Sequence, residues 1–265
     1  MDNFLGKRDL LLRSIKVEIR AQHAGTVLGM AWIILGPLLL LSLYALIYAV
    51  VFDVRLPNFS RSEYILNVFS GLVLFIAFSQ AMSASTTALS KEQKLIFSNF
   101  PPEFIPTKSV AVAYLVLLPA TVFVVLGDVV FSQASWHLLL LPVVALLQLA
   151  FSIGLGCLLS LLGLVMRDIS FLIQYIVTAI LIVTPIAYTP DMVPAKIKPL
   201  LYLNPLYYYV SANQHLILLN RLPPMIEIVL GTVMSIGMFL LGVWVFKRAR
   251  MATVSYTHLT LPTSD

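Results

Sequence analysis

The chain has 265 residues, of which 60% are hydrophobic and 11% charged, with a formal net charge of +5. A soluble domain of this size carries about a quarter charged residues to cover its surface. This composition therefore excludes a soluble globule and directs the apolar surplus to lipid.

The first 20 residues are too charged to hold the apolar core of a cleavable signal peptide. They are amphipathic instead. Phe4, Leu5, Leu11, Leu12, Ile15 and Ile19 fall within a stripe of about 120° at helical period, with Arg13, Lys16 and Arg20 opposite and Arg8 out of pattern. This predicts a helix lying in the membrane interface, its cations toward headgroups. A solvated leader is the plainer reading.

Six segments follow that are long and apolar enough to cross ~30 Å of hydrocarbon. They run from about 26–52, 64–90, 108–131, 137–165, 169–189 and 225–246, with no Lys or Arg in their interiors. The fold class expected is an all-α polytopic membrane protein, a single domain over 1–253. In the outer half of the first span Tyr44, Tyr48 and Phe52 recur at i, i+4 and i+8, forming one stripe. Such a stripe offers flat aromatic faces along one side of the span, and Tyr188 at the end of the fifth span extends the set. An ordinary interfacial aromatic belt is the alternative, and it accounts well for Phe52 and for Tyr207–Tyr209.

The 91–108 loop, KEQKLIFSNFPPEFIPTK, places Leu95, Ile96, Phe97, Phe100, Phe104 and Ile105 among charges. These are expected to be exposed as a docking surface, with burial among headgroups as the competing reading. Pro101-Pro102-Glu103 is suited to starting a helix, the carboxylate sitting on the positive end of its dipole. In the fourth span Gly154, Gly156 and Gly163 predict close helix packing, and Cys157, the one cysteine, reads as a small packing residue. A single thiol also excludes an intrachain disulfide and a multi-thiolate zinc site.

The stretch 199–220 carries Pro199, Asn204, Pro205, Asn213, Gln214 and His215, whose polar groups lipid cannot satisfy. Charge decides its placement. With six spans, Lys7, Arg8, Arg13, Lys16, Arg20, Lys91, Lys94, Lys108, Arg167, Lys247, Arg248 and Arg250 share one side; Arg55, Arg61, Lys196, Lys198 and Arg221 share the other. The richer side is expected to be cytoplasmic, with both termini on it. A seventh crossing would send the last basic cluster outside, so 199–220 is expected to be re-entrant or interfacial on the outer face. Residues 254–265 read as a translated sequencing-adapter tail, foreign to the domain.

No titratable group lies at mid-depth in a span, as an ion-coupled transporter needs. His23, His137, His215 and His258 are scattered, and no phosphate-binding G-x-x-x-x-G-K-[ST] is present. No metal, cofactor or nucleic-acid partner is expected, and the energy source has to be another chain.

Leu28-Gly29-Met30-Ala31-Trp32, Gly36-Pro37-Leu38, the Phe97–Pro106 loop, Thr184-Pro185-Ile186-Ala187-Tyr188, Val193-Pro194, Leu203-Asn204-Pro205-Leu206 and Leu222-Pro223-Pro224 occur in that order. Over about residues 5–250 this resembles the permease subunits of ABC-2 type exporters, in particular those moving O-antigen, capsule or teichoic acid chains. Pro102-Glu103 stands where that family usually has a basic residue after proline. The resemblance implies a homodimer in the bacterial inner membrane, bound to two copies of a separate ATPase and passing a lipid-linked glycan between its halves. It also implies coupling through the leader (Arg13, Arg20) and through the loop (Leu95, Phe97, Phe100, Glu103, Phe104). A drug or small-lipid exporter is the nearest rival. A membrane-embedded glycan or lipid transferase is the rival from another class, with Asp53, Glu63, Asp128, Asp191 and Glu227 as its available acids.

Overall fold

A computed structural model describes residues 2–47, 60–92, 100–131, 135–166 and 168–259, and the regular elements among them are all helices. The chain is an all-α membrane protein. In order, the α-helices are α1 (Asp2–Gln22), α2 (Trp32–Ala45), α3 (Arg61–Lys91), α4 (Phe104–Val116) and α5 (Leu118–Phe131). They continue with α6 (Leu141–Val165), α7 (Ile169–Val183), α8 (Lys198–Leu203), α9 (Pro205–Ile217) and α10 (Met225–Leu259). The last helix runs on at backbone level into the segment read as a foreign tail.

Among the described residues, four helical stretches are long and apolar enough to cross a membrane: Arg61–Lys91, Phe104–Phe131, Trp136–Val165 and Met225–Ala249. Gly29–Ala45 and Ile169–Val183 are apolar but shorter. Proline explains where several elements break. Pro119 has no N–H for the Leu115 carbonyl, so the Phe104–Phe131 stretch tightens at Leu117, whose N–H turns back to Tyr114 at 3.2 Å. The fifth segment ends at Val183, short of the expected 189. Thr184 precedes Pro185 and is held extended, with φ −73° and ψ 126°.

The first segment starts later than 26. Gly25 and Gly29 adopt φ of 78° and 51°, a left-handed corner that separates α1 from α2. At the start of α3 the Glu63 N–H donates to Ser60 Oγ at 3.3 Å, and the Ser60 N–H donates to Glu63 Oε2 at 2.7 Å. This reciprocal cap satisfies two donors that lipid would leave bare.

Helix α3 is the centre of the molecule. Every residue from Leu66 to Phe75 is buried, so it has no lipid face over that stretch. Helices α4, α6, α7 and α9 surround it. Polar side chains tie these layers together inside the apolar mass. Gln148 Nε2 donates to the Leu74 carbonyl at 2.9 Å, Asn213 Nδ2 to the Ser70 carbonyl at 3.0 Å, and Tyr114 and Ser152 share a 2.8 Å bond. Each such bond is worth about 0.6 kcal/mol in a membrane protein, because the alternative partners are also internal.

Helix α9 begins and ends at the same corner. Asn204 Nδ2 donates to Thr184 Oγ1 at 2.7 Å, and Gln214 Nε2 reaches the Pro185 and Ile186 carbonyls at 3.3 and 3.2 Å. The α8–α9 pair therefore stays by the end of α7. The side chains of Tyr207, Tyr208 and Tyr209 are buried there. Their hydroxyls bond Glu227, the Tyr202 carbonyl and Ser235 at 2.8, 2.7 and 2.8 Å. This corrects the expectation of an interfacial belt at these three tyrosines: their rings pack between α9, α10 and the core, and do not face headgroups.

Close approach of backbones sets the packing of α6. A Cβ on Gly242 would stand 2.0 Å from the Gly154 carbonyl oxygen, and one on Gly163 would stand 1.8 Å from that of Thr86. A Cβ on Gly237 would meet nothing within 4 Å. Substituting Gly242→Ala should therefore lower the thermal midpoint of the solubilised protein by the equivalent of about 1–3 kcal/mol. Gly237→Ala should leave it unmoved, and equal midpoints for the two variants would disprove the α6–α10 contact.

Candidate functional site

Several chain segments meet at one end of the bundle. It holds the end of α3 at Lys91, the start of α4, the second half of α6 and α10 around Phe246. Phe246 packs with Ala88, Leu89, Phe100, Ile105 and Cys157 in one cluster, which fixes these termini together. The leader joins them. In α1, Ile15 is buried and Leu11 and Ile19 are half-buried against α4, while Arg13, Lys16 and Arg20 remain exposed on the other face. The predicted amphipathic division is present at Leu11, Ile15 and Ile19; Leu12 is exposed, and the side chains of Phe4 and Leu5 lie outside those described.

The charge that joins these pieces is Lys108. Its side chain is only 5% exposed, and its ammonium donates to Glu18 Oε2 of α1 at 3.2 Å and to the Glu92 carboxylate just past α3. An unpaired ammonium in this position would carry a large desolvation cost, and two carboxylates offset it. The leader, the residue after α3 and the start of α4 are thus tied by one cation. The sequence reading used Lys108 only as an orienting charge and gave Glu18 and Glu92 no role. Nothing in their spacing shows that they meet.

The loop itself differs from expectation. Phe100 and Ile105 are buried and Phe104 is half-buried, with Phe100 and Phe104 edge-to-face at 6.0 Å between centroids and 81° between planes. Burying the rings under α3, α6 and α10 removes them from water, so this part of the expected exposed docking surface is instead an internal foundation. The helix expected to start on Pro101-Pro102 starts after them, at Phe104; Glu103 stands at the N-cap position without a side-chain cap bond, and its carbonyl accepts from Thr107 Oγ1 at 2.8 Å. Leu95, Ile96 and Phe97 lie outside the described residues.

Toward the other end, Tyr44 is half-buried against the core cluster, while Tyr48 and Phe52 lie outside the described residues. Tyr188 folds back on α7. Its hydroxyl donates to the Val183 carbonyl at 2.7 Å and lies 3.2 Å from that of Ile182, supplying one donor to carbonyls left open where the helix stops. Glu227 Oε1 accepts from Tyr207 and Oε2 from Ser211 at 2.7 Å, joining α9 to the start of α10. Burial, and then the carboxylate it faces, push the Tyr207 hydroxyl up, so it stays a donor. Among the described residues no group of three or more His, Cys, Asp or Glu is arranged to hold a metal.

Comparison with known proteins agrees with this architecture. Residues 12–218 match the ABC-2 type transporter family. The chain is similar to an O-antigen export system permease protein RfbA of Myxococcus xanthus, with 30% identity over 82% of this chain and 83% of that one. It is also similar to RfbA permease proteins of Klebsiella pneumoniae, at 27% and 26% identity, each over 75% of this chain and 76% of theirs. With a match across most of its length and a multi-pass helical fold, the chain belongs to the ABC-2 type transporter family, as a permease resembling the O-antigen exporters.

Proposed function

We propose that this chain is the transport subunit of an ATP-driven exporter, moving a lipid-linked polysaccharide across the bacterial inner membrane as a homodimer with two copies of a separate ATPase. The polysaccharide part rests on similarity to O-antigen export permeases. Six crossings with both termini at the basic end fit the positive-inside rule, which makes that end cytoplasmic. The return of α9 to the corner at Thr184–Ile186 supports leaving 199–220 out of the crossing count.

The observation that carries the coupling reading is the Lys108 junction. A push on the 93–99 loop or on α1 reaches both, because Glu18 and Glu92 are held by the same ammonium. The exposed Arg13 and Arg20, with Leu95, Phe97 and Glu103, then meet the ATPase, and Phe100 and Phe104 beneath them pass the displacement to Phe246 and Cys157. In a close-packed interior such displacement moves elements as units. At the opposite end Tyr44, Tyr48, Phe52 and Tyr188 border the sugar path.

Three outcomes are expected. Single cysteines at Ser60, Ser135 and Asn220 react with an impermeant thiol reagent added outside cells, and those at Ser98 and Ala249 do not; outside labelling at Ala249 would refute the topology. Lys108→Met, by leaving two carboxylates uncompensated, costs about 3–5 kcal/mol of stability. Adding Glu18→Gln and Glu92→Gln restores the folded yield, yet export stays low while the assembled complex still hydrolyses ATP. Wild-type export by that triple variant would remove the junction from coupling. Replacing Tyr44 and Tyr48 together by Ala slows export at unchanged dimer level, each ring contributing about 1 kcal/mol; Tyr→Phe at both sites is the control, and undiminished export by the Ala pair would return them to a packing role.

A further inference from the structure

Helix α10 is the most exposed of the four long helical stretches. Every exposed residue on it from Ile228 to Trp244 is apolar. Helix α7 differs, because it exposes the Gln174 carboxamide and Thr178 among its apolar residues. A carboxamide asks for a partner that hydrocarbon cannot supply. Nothing on the α10 face does, so acyl chains match it.

Near its basic end this face changes character. Leu240, Trp244 and Arg248 stand at i, i+4 and i+8, and Lys247, seven residues past Leu240, shares their side of the helix. Trp244 is 60% exposed, and Arg248 Cζ lies over its indole, 5.9 Å from the ring centroid. Cation–π attraction at this distance holds the guanidinium beside the ring. Its N–H groups meet no protein acceptor among the described residues. Neither Arg248 nor Lys247 has a carboxylate partner there, and Glu18 and Glu92 are engaged by Lys108.

The two cations therefore stand, uncompensated, where the apolar stretch ends, which is the depth of lipid phosphates. A phosphate accepts two parallel bonds from the guanidinium fork. A zwitterionic headgroup brings an ammonium as well, which Lys247 and Arg248 repel and no neighbouring carboxylate receives. A phosphodiester without an ammonium avoids that repulsion, while its acyl chain runs along Trp244 and Leu240. We propose that the Trp244–Lys247–Arg248 face of α10 is a binding site for an anionic phospholipid, in the leaflet at the basic end of the bundle. A lipid bound there fixes the depth of α10. It fixes α6 as well, since Gly242 packs directly on the Gly154 backbone. The site goes beyond the export reading and does not depend on it.

The test uses the full chain carrying Trp32→Phe and Trp136→Phe, which leaves Trp244 as the one tryptophan, in phosphatidylcholine nanodiscs. Phosphatidylglycerol or phosphatidylcholine with brominated acyl chains is titrated in, because bromine quenches an indole on contact. Both lipids are expected to quench Trp244, phosphatidylglycerol with an apparent affinity about fivefold higher, the order expected for one basic residue at a charged lipid surface. Arg248→Gln should abolish the preference and Lys247→Gln should reduce it. Arg248→Lys, which keeps the charge and loses the planar fork, should restore only part of it. Both side chains are exposed, so folded yield and thermal midpoint should stay at the parent values. Equal affinity for the two lipids, a preference surviving Arg248→Gln, or a full preference with Arg248→Lys would overturn the site. Quenching by neither lipid would overturn it too, by showing that a second copy or another protein covers the indole. Displacement of the anionic lipid by millimolar inorganic phosphate would do the same, by making the ligand a solution anion.

Discussion

A backbone immersed in hydrocarbon has to satisfy its own N–H and C=O groups, and each departure from the helical ladder needs a local substitute. The architecture follows from how these departures are met. At Ser60–Glu63 a reciprocal side-chain cap does it. At the end of α7, where Pro185 stops the helix, the Tyr188 hydroxyl does it for the Val183 carbonyl, and at the start of α9 Asn204 Oδ1 does it for the Leu206 N–H. The side chains of Asn213 and Gln214 donate to the Ser70 carbonyl of α3 and to the Pro185 and Ile186 carbonyls, which holds α9 and the turn after α7 against the core. Irregular backbone is tolerated there because protein covers it.

The same constraint explains a central helix with no lipid face over Leu66–Phe75. Apolar contact alone discriminates weakly between a neighbouring helix and a lipid tail, so α3 and its neighbours are held by shape and by polar ties. Gly163 lets α6 approach the Thr86 carbonyl, and Gly156 accommodates Ser85 and Val110. Gln148 reaches across to the Leu74 carbonyl from full burial. Small residues and carboxamides therefore do within the membrane what a large apolar core does in water.

Charge plays its part at one end. Lys108 is buried with two acidic partners, and nearby Phe100 and Ile105 form the floor beneath the loop rather than its exposed surface. An electrostatic tie joins α1 to the end of α3 and the start of α4 without adding hydrophobic surface.

Much was legible in the residues themselves. Long apolar runs define membrane helices whatever their neighbours, because hydrocarbon thickness sets their length, and the glycines of α6 announced close packing. The amphipathic leader followed from period alone. Tertiary structure decided the rest. A tyrosine run such as Tyr207–Tyr209 has the same composition in a belt as in a core, and only the positions of Glu227 and Ser235 make it internal. Phe100 was read as exposed because loops usually are, whereas Phe246, some 150 residues away, covers it. Glu18, Glu92 and Lys108 carry no local pattern that pairs them; their meeting depends on α1 lying across the start of α4. Periodicity within a segment reports how that segment meets its solvent, but an ion pair or a buried ring between segments is fixed by how the segments cross, which no single stretch encodes.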